Sequence, residues 1–405
     1  MITKEALKQV RLLYRLNSRV KSYFTKIALR FLSWRYRRAA SRIGFVYDRD
    51  EAIRHFRKRH KYYRPNFTAA AAGDLRVFWI GTNKAQDDSG FLQALGRLAR
   101  VTAFRNANGG YGVWSGEGSS TLWDIRASND KELLSQLSEL HEREGVDLLL
   151  GQMWAGRISK ETLIRVQMMG IPVVNIAMDD RLPTHWRRYK GVLMGSIGLF
   201  PGIDLVLTTA PETCSWYGTA GCPAIYWPLA SDPELFSPGI EGARDIDVLF
   251  IGNRYGVRGE IVENLGRLGI NVSCYGDGWL NGYVNADESA ALYRRARIVL
   301  GVGTVGHCHD VYTLKLRDFD AVMSSALYLT SRNPDLCALF DEGREIECYK
   351  DSAEAARKIH YYLEQSSERI RIGAAGRAKA LSLHSWEFRL TSTFREIGLL
   401  NDKNE

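Results

Sequence analysis

The stretch "LKLRDFDA", residues 314–321, carries Lys315, Arg317, Asp318 and Asp320 within six residues. The apolar segment "VMSSALYLTS" that follows is typical of a buried strand, so the charged stretch is predicted to be a helix that leads into it. Arg317 and Asp320 are three residues apart and would share a face of that helix. They form either an ion pair on a solvated helix face or part of a functional site.

A second set of candidate residues lies in "FIGNRYGVRGE", residues 250–260. Gly252 and Asn253 directly follow an apolar strand-like run, and glycine permits close backbone approach. Arg254 and Arg258 lie beside a predicted helix N-terminus, where amide donors and the helix dipole favour an anion. The spacing fits neither G-x-G-x-x-G nor a Walker loop. The segment indicates a phosphate-binding loop, and an ordinary strand–helix loop with surface arginines is the alternative.

The stretch "YGDGW", residues 275–279, follows the next predicted strand. Tyr275, Gly276 and Gly278 could form a loop against which a nucleotide base stacks, or the aromatic residues could be a core pair. The glycine-rich stretch "GTVGHCHDVY", residues 303–312, is expected to open the helix of residues 314–321, with backbone amides available to phosphate. No metal site is predicted there, because ligands so close in sequence rarely chelate an ion without a distant partner.

Two aspartate pairs follow predicted strands in the first half of the chain, Asp87–Asp88 and Asp179–Asp180. Ligands of open α/β sheets bind at the carboxyl ends of the strands, where a carboxylate can act as general base on a hydroxyl group. We favour Asp88 as the catalytic base and place Asp180 second. N-capping of a helix is the alternative role for such residues.

The net charge of +9 over 405 residues is unevenly distributed. Residues 1–64 hold 19 Lys and Arg against 4 Asp and Glu, a net of +15, so the remainder carries 9 − 15 = −6. The six cysteines show no C-x-x-C spacing and are predicted to be free thiols in a reducing compartment. No secretory signal or uncharged run of about 20 apolar residues is visible, so a cytoplasmic location is expected.

Residues 3–40 have the pattern of one amphipathic helix flanked by arginine and lysine. Such a helix could lie on an anionic membrane surface, pack on the protein's own body, or pair in a coiled coil. Nucleic acid is not expected as a partner, because the arm has no groove-reading motif and the body is acidic. The apolar stripe consists of Val10, Leu13, Leu16, Val20, Phe24, Ile27, Phe31 and Trp34.

The rest of the chain alternates strand-like and helix-like segments, which predicts an α/β fold. Residues 1–74 are the basic helical arm and linker. Residues 75–235 form a first Rossmann-like, doubly wound domain, and a Pro/Gly/acidic break separates it from a second at 246–384. Residues 385–400 form a last helix long enough to cross back over the first domain.

Taken in order, these motifs resemble the group-1-like glycosyltransferases of the CgeB type, which have the GT-B architecture of two facing Rossmann-like domains. The resemblance covers about residues 75–395 and is most specific in the long block "LFDEGREIECYKDSAEAARKIHYYLEQSSERIRIGAAGRAKAL". It implies transfer of a sugar from a nucleotide-diphosphate sugar to a hydroxyl of a carbohydrate, lipid-linked or protein acceptor. The second domain would hold the donor and the first the acceptor, in cell-surface polysaccharide or glycolipid synthesis.

The resemblance also assigns roles to residues. Asp320 matches the family's acidic residue expected to bind the ribose, although the family more often has Glu there. Arg254 and Arg317 match basic positions near the diphosphate, and Arg258 and Lys315 are further candidates. No tightly bound cofactor or metal is expected, because helix N-termini and basic side chains stabilise the leaving diphosphate in this architecture.

Two departures keep other functions open. Related retaining enzymes carry a second Glu eight residues before the acid, where this chain has Tyr312, so the stereochemical outcome is not fixed. The acid itself is Asp320 here, where the family more often has Glu. The alternatives are a non-catalytic nucleotide-binding or scaffold protein on the same fold, or a nucleotide-sugar epimerase. A phosphorylase is disfavoured, because no motif for a pyridoxal lysine is visible.

Overall fold

The computed structural model describes residues 4–401 of the chain, with side chains from residue 16 onward. Its contacts divide the chain into two compact units. The first-sheet unit contains Leu32–Pro228 and the chain from Trp386 onward, and the second-sheet unit contains the chain up to Phe31 and Leu229–Ser385.

The first-sheet unit is built on a six-stranded parallel sheet with the order β2-β1-β3-β4-β7-β8, and β5 pairs with β6 in a separate antiparallel ribbon. The strands are β1 Leu75–Ile80, β2 Ala99–Ala103, β3 Leu148–Gly151, β4 Val173–Ala177, β5 Arg188–Tyr189, β6 Val192–Leu193, β7 Leu205–Thr208 and β8 Ala224–Tyr226. Helix α1, Lys4–Ile43, begins in the second-sheet unit and ends in the first-sheet unit. The helices of the first-sheet unit that precede or connect its strands are α2 Arg49–Tyr63, α3 Lys84–Asp87, α4 Phe91–Leu98, α5 Leu122–Glu144, α6 Lys160–Met168 and α7 Pro211–Thr219.

The second-sheet unit is built on a five-stranded parallel sheet with the order β10-β9-β11-β12-β13. Its strands are β9 Ile246–Ile251, β10 Ser273–Tyr275, β11 Ala296–Gly301, β12 Leu327–Ser331 and β13 Glu347–Tyr349. Its helices are α8 Arg258–Arg267, α9 Ala286–Arg295, α10 Arg317–Met323, α11 Pro334–Cys337, α12 Ser352–Glu364 and α13 Ser366–Leu383. The last helix, α14 Trp386–Glu396, belongs to the first-sheet unit.

The central strands of both sheets are near-continuous apolar runs, as expected for strands covered on both faces. All four residues of β3 and all five of β12 are buried. In the second-sheet unit Val248, Phe250, Ile298, Leu300 and Leu329 lie in one apolar cluster with the inner faces of α8, α12 and α13. These rigid sheets position the loops at the carboxyl ends of the strands.

One local prediction is wrong and one helix was missed. The glycine-rich stretch 303–312 does not open a helix, because Thr304 and Tyr312 pair as an antiparallel bridge and close it into a loop. Helix α10 begins only at Arg317. Helix α2, whose buried residues include Ile53 and Phe56, was not predicted.

Helix α1 covers most of the basic arm, but the side chains at its start, including those of Val10 and Leu13 in the predicted stripe, lie outside the described residues. Throughout residues 4–401, no helix is both long and apolar enough to cross a membrane.

Candidate functional site

Each sheet has a topological switch point, which lies between two adjacent strands whose connections run in opposite directions. Ligands of open α/β sheets bind at this point. In the second sheet the switch point lies between β9 and β11, since β10 flanks β9 on one side and β11 on the other. In the first sheet it lies between β1 and β3. Both switch points carry residues that the sequence singled out.

Arg317 bridges the carboxyl ends of β9 and β11. Its guanidinium donates one hydrogen bond to the carbonyl of Ile251 and another, of 3.2 Å, to the carbonyl of Val302. The residue is 7% exposed, and its Nε has no hydrogen-bond partner among the described residues. The first turn of α10 therefore places a positive charge at the switch point of the second sheet.

Arg258 brings a second buried guanidinium to the same place from the first turn of α8. It donates a 2.9 Å hydrogen bond to the carbonyl of Asn253 and lies over the ring of Tyr255. A Cβ placed on Gly252 would lie 2.7 Å from Nη1 of Arg317 and 3.4 Å from Nη1 of Arg258. Both cations therefore lie against the backbone directly after β9. They fit there because Gly252 has no side chain.

Neither guanidinium is in a direct ion pair in the described part of the chain, although the buried Asp318 is near enough to favour the charged form of both. Within the described part of the chain, no carboxylate oxygen lies within 4.0 Å of either group. Burial and the neighbouring Arg317 lower the pKa of Arg258 to about 10, so it remains charged at neutral pH. Two buried cations that donate to backbone carbonyls and have no direct ion pair among the described residues form a site suited to a multiply charged anion such as a diphosphate.

The loops after β9 and β10 are joined backbone to backbone. The amide of Gly252 donates to the carbonyl of Tyr275 at 2.8 Å, and that of Arg254 donates to the carbonyl of Asp277 at 2.8 Å. A Cβ on Gly276 would lie 2.6 Å from the carbonyl carbon of Gly252. The motifs "FIGNRYGVRGE" and "YGDGW", residues 250–260 and 275–279, thus form one structural unit.

Other predicted donor-site residues surround this unit. Arg254 is more exposed than Arg258, stacks on Trp279 and pairs with Glu263 at 2.9 Å. Gly278 has a φ of +83° and packs beside the side chain of Arg254. Lys315 is partly exposed, and no ion pair of its ammonium is found in residues 16–401.

Asp318 and Asp320 lie beneath the surface. Asp318 accepts hydrogen bonds from the backbone amide of Lys315, at 2.8 Å, and from the hydroxyl of Tyr328, so it ties down the start of α10. Asp320 is 4% exposed, and its Oδ1 has no hydrogen-bond partner among the described residues. Burial, reinforced by the nearby Asp318, raises the pKa of Asp320 well above its ordinary value.

The interpretation of Arg317 and Asp320 as a surface ion pair is therefore wrong. Both side chains are buried, and the guanidinium of Arg317 is bound to backbone carbonyls instead. Asp318, the other acidic residue of the charged stretch, is fully buried as well. The i,i+3 spacing could not reveal this, because it fixes a shared helix face and leaves open whether that face meets solvent.

The loop 303–312 contacts the N-terminal helix. The hydroxyl of Ser18 lies 2.9 Å from Nδ1 of His307, and the ammonium of Lys26 lies 2.7 Å from the carboxylate of Asp310. The thiol of Cys308 is 3.9 Å from the carbonyl of Ser22. The chemistry-bearing side chains of this loop thus hold α1 against the second-sheet unit.

One group of side chains among the described residues could offer three ligand atoms to a metal ion: Cys337, Glu342 and Cys348, whose ligand atoms lie within 4.8 Å of one another. The carboxylate of Glu342 is already bound by Arg332 at 2.6 Å. Because its carboxylate is neutralised in this way, the cluster is a weak candidate for a metal centre.

At the switch point of the first sheet, Asp87 is the carboxylate most elaborately held. It lies at the end of α3, and accepts a 2.6 Å hydrogen bond from the hydroxyl of Tyr111 and a 3.1 Å hydrogen bond from the amide of Gln152. The indole of Trp79 donates in turn to Tyr111 at 2.7 Å. Burial raises the pKa of Asp87 to about 6. This carboxylate, which sequence reasoning named only as the neighbour of Asp88, connects the loops after β1 and β3.

The two predicted catalytic bases have different surroundings. Asp88 follows α3, with 41% of its side chain exposed and Lys84 at 3.9 Å. Asp180 is buried and accepts hydrogen bonds from Thr208 at 2.6 Å and Tyr217 at 2.8 Å. Burial raises the pKa of Asp180 to about 6.

Neither aspartate has the alternative role of a helix N-cap. Asn83 caps α3 and Gly90 precedes α4, so Asp88 caps neither helix. The short helical turn after Asp180 consists of Pro183–Trp186, and its N-cap residue is Leu182, so Asp180 does not cap it. The two carboxylates therefore remain candidates for the base, one open to solvent and one enclosed by hydroxyl donors.

Comparison with known proteins agrees with this geometry. Residues 258–395 match the family described as glycosyl transferase-like, a segment that contains Arg258, Arg317 and Asp320. No curated protein sequence matches the chain. The resemblance to group-1-like glycosyltransferases is therefore confirmed, and the narrower CgeB type stays a prediction.

Solved structures show the fold. Sucrose-phosphate synthase from Thermosynechococcus elongatus is 12% identical with a TM-score of 0.56, over 80% of this chain and 99% of that one. HepE from Anabaena, solved with UDP and glucose, is 11% identical with a TM-score of 0.54, over 80% and 100%. A glycosyltransferase from Rickettsia africae is 9% identical with a TM-score of 0.54, over 80% and 98%. The predicted GT-B fold class is confirmed.

Proposed function

We propose that this protein is a glycosyltransferase that uses a nucleotide-diphosphate sugar as donor and an acceptor hydroxyl. The observation that carries the proposal is the pair of buried guanidiniums, Arg258 and Arg317, at the switch point of the second sheet. They lie inside the segment that matches the glycosyl transferase-like family. The UDP and glucose bound to HepE, a neighbour in fold, support the choice of donor class.

In the proposed reaction the diphosphate is the leaving group. Its charge grows as the bond to the sugar breaks, and fixed cations stabilise that charge most when they are already desolvated and held in place. Arg258 and Arg317 meet both conditions, with Arg254 and Lys315 as more exposed cations of the same region. No metal is needed in this scheme.

The loop "YGDGW" would receive the nucleoside end of the donor. The glycines Gly276 and Gly278 leave the backbone of this loop bare beside Gly252 and Arg254, and Tyr275 offers a ring for a base. Asp320 remains our proposed ribose ligand from the family resemblance. Because the carboxylate is buried, the residues that cover it must move before a ribose hydroxyl can reach it.

The acceptor would bind at the switch point of the first sheet. Asp88 is our first candidate for the base because its carboxylate is open to solvent, whereas that of Asp180 is buried among hydroxyl donors. A base is required only if the sugar is transferred with inversion. The acceptor class remains a carbohydrate, a lipid-linked sugar or a protein, in cell-surface polysaccharide or glycolipid synthesis on the cytoplasmic side.

The direct experiment is incubation of the protein with radiolabelled UDP-, GDP-, dTDP- and ADP-sugars. We expect one nucleotide series to be hydrolysed slowly and to transfer its sugar when a suitable acceptor is added. Lack of both binding and hydrolysis for every donor would contradict the proposal.

A second candidate function is nucleotide binding without catalysis. It is favoured by Tyr312 at the position of the second family glutamate and by the burial of Asp320. Nucleotide binding with neither sugar transfer nor hydrolysis would support it. A nucleotide-sugar epimerase would instead convert the donor without any acceptor, which product analysis would detect.

A further inference from the structure

We propose that α1 binds the surface of an anionic membrane through an apolar stripe that faces away from the rest of the second-sheet unit. The proposal concerns where the protein acts and does not rest on its proposed chemistry. It is carried by the exposure of the stripe, by the contacts of the opposite helix face and by the charges beside the stripe.

The outer stripe, which we define as Leu16, Val20, Tyr23, Phe24 and Ile27, is exposed. Each of these side chains is between 43% and 64% exposed. At 3.6 residues per turn they fall within a sector about 100° wide, the width of an apolar face that is ordinarily buried. Phe31 and Trp34 continue the sector and are 56% and 54% exposed.

The opposite face of α1 is already used. Ser18, Ser22 and Lys26 contact His307, Cys308 and Asp310 of the loop 303–312. These contacts fix the rotation of the helix about its axis, so the outer stripe cannot turn inward without breaking them. One alternative left by the sequence was that the apolar stripe packs on the protein's own body. In the structure, the face of α1 that packs there is the opposite one.

The charges beside the stripe select the partner. Residues 16–43 contain eight Lys and Arg and no Asp or Glu. Arg19 and Arg30 flank the outer stripe on one side and Lys21 and Arg35 on the other, and all four are exposed. Cations along both margins of an apolar stripe match the headgroups of an anionic bilayer, into which the apolar side chains can insert.

A second copy of the chain fits this surface less well. Paired helices gain from opposite charges at the margins of their apolar seam. Here both margins would bring cations against cations, because the segment has no acidic side chain. A nucleic acid would satisfy the cations and leave the aromatic and aliphatic side chains of the stripe without an apolar partner.

The test is flotation of the full chain with vesicles of phosphatidylcholine containing about 30% phosphatidylglycerol, compared with phosphatidylcholine alone. We expect flotation with the anionic vesicles only, and its loss at high salt. The triple substitution Val20→Ser/Phe24→Ser/Ile27→Ser should lower the bound fraction by about tenfold or more, because it removes inserted apolar area. The substitution Arg19→Gln/Lys21→Gln/Arg30→Gln should act in the same direction and weaken the salt dependence.

The matched control is Met168→Ser/Ile240→Ser/Leu280→Ser, which removes three apolar side chains that are at least 79% exposed elsewhere on the surface. This control should float like the unchanged protein. All the variants should have the same melting temperature as the unchanged protein. Equal flotation with neutral vesicles, or full flotation of the stripe variant, would overturn the proposal. The proposal would also be overturned if the stripe variant still floated but lost self-association in sedimentation velocity. The same holds if it still floated but lost binding to a single-stranded oligonucleotide.

Discussion

At the scale of single residues, Arg258 and Arg317 hold positive charge where water has been excluded, at the carboxyl ends of β9 and β11. Their roles in the fold differ. Arg317 donates to two carbonyls at the carboxyl ends of neighbouring strands, whereas Arg258 donates to one loop carbonyl. Substitution of Arg317 is therefore expected to cost stability as well as binding, and Arg258 is the better probe of anion binding.

We predict that Arg258→Gln weakens binding of the preferred nucleoside diphosphate by about ten- to a hundredfold, the effect of losing one charge-assisted hydrogen bond of about 1.5–3 kcal/mol. Isothermal titration calorimetry measures it. Arg254→Gln is the matched control, since Arg254 is more exposed and paired with Glu263, and a smaller loss is expected. Equal losses in the two variants would contradict the assignment.

Asp88 and Asp180 should respond differently to replacement by asparagine. Asp180→Asn replaces one of the two carboxylate oxygens that accept from Thr208 and Tyr217 with an amide group that cannot accept, and should lower the free energy of unfolding by about 2–3 kcal/mol. Asp88→Asn should change it by less than about 0.5 kcal/mol, because the side chain is solvated. If Asp88 is the base, only its variant combines normal stability, measured by urea unfolding, with lost turnover.

The burial of Asp180 also predicts a pH dependence. Native Asp180 has a pKa of about 6 against 3.8 for an ordinary aspartate, so the folded protein keeps a proton that the unfolded chain releases. Its contribution to the free energy of unfolding therefore falls as pH rises from about 3.8 to about 6 and is flat above that range. Asp180→Asn should reduce this slope in urea unfolding curves. An unchanged slope would show that Asp180 is not protonated in the folded state.

At the scale of elements, the loops after β9 and β10 pack directly against each other through their backbones, and this requires glycines at the contact. We predict that Gly276→Ala lowers both the melting temperature and nucleotide affinity, because its φ of +122° disfavours a side chain and the new Cβ would meet Gly252 at 2.6 Å. Gly266→Ala in α8 is the control, since nothing lies within 4 Å of the added carbon. That variant should be as stable as the unchanged protein or slightly more stable.

The alternation of apolar runs and helical segments was sufficient to predict the two parallel sheets and most of their helices, since buried strands need continuous apolar sequence. Local pattern failed where tertiary contacts decide. The loop 303–312 has a helix-opening composition, yet its Thr304–Tyr312 bridge closes it as a loop. Helix α2 is dominated by charged residues, so its narrow apolar face at Ile53 and Phe56 gave a weak periodic pattern.

The candidate site was predictable in part. The glycines and arginines of residues 252–258 were enough to predict a candidate anion-binding loop, because they directly follow an apolar strand-like run. The burial of Arg317 and Asp320 and the hydrogen bonds of Asp87 were not predictable, because they depend on strands and loops distant in sequence, such as Tyr111 and Gln152. Sequence spacing orders side chains along one element and does not show which other elements cover them.

At the scale of the whole molecule, the chain combines a GT-B fold with a basic helix whose outer stripe is exposed. The fold alone does not define an activity, since one architecture can serve several reactions. The proposal of nucleotide-sugar chemistry depends on the cation pair at the second switch point, inside the matched segment.

Binding of a nucleoside diphosphate by the cation pair can be tested by the melting temperature of the protein with UDP, GDP, dTDP and ADP, each compared with its nucleoside. We expect one nucleoside diphosphate to raise the melting temperature, its nucleoside to do so far less, and Arg258→Gln to abolish most of the difference. A ligand at about 100 times its Kd would stabilise the protein by about 2.7 kcal/mol, a readily measured shift. No stabilisation by any diphosphate, or the same stabilisation in the Arg258→Gln variant, would contradict this expectation.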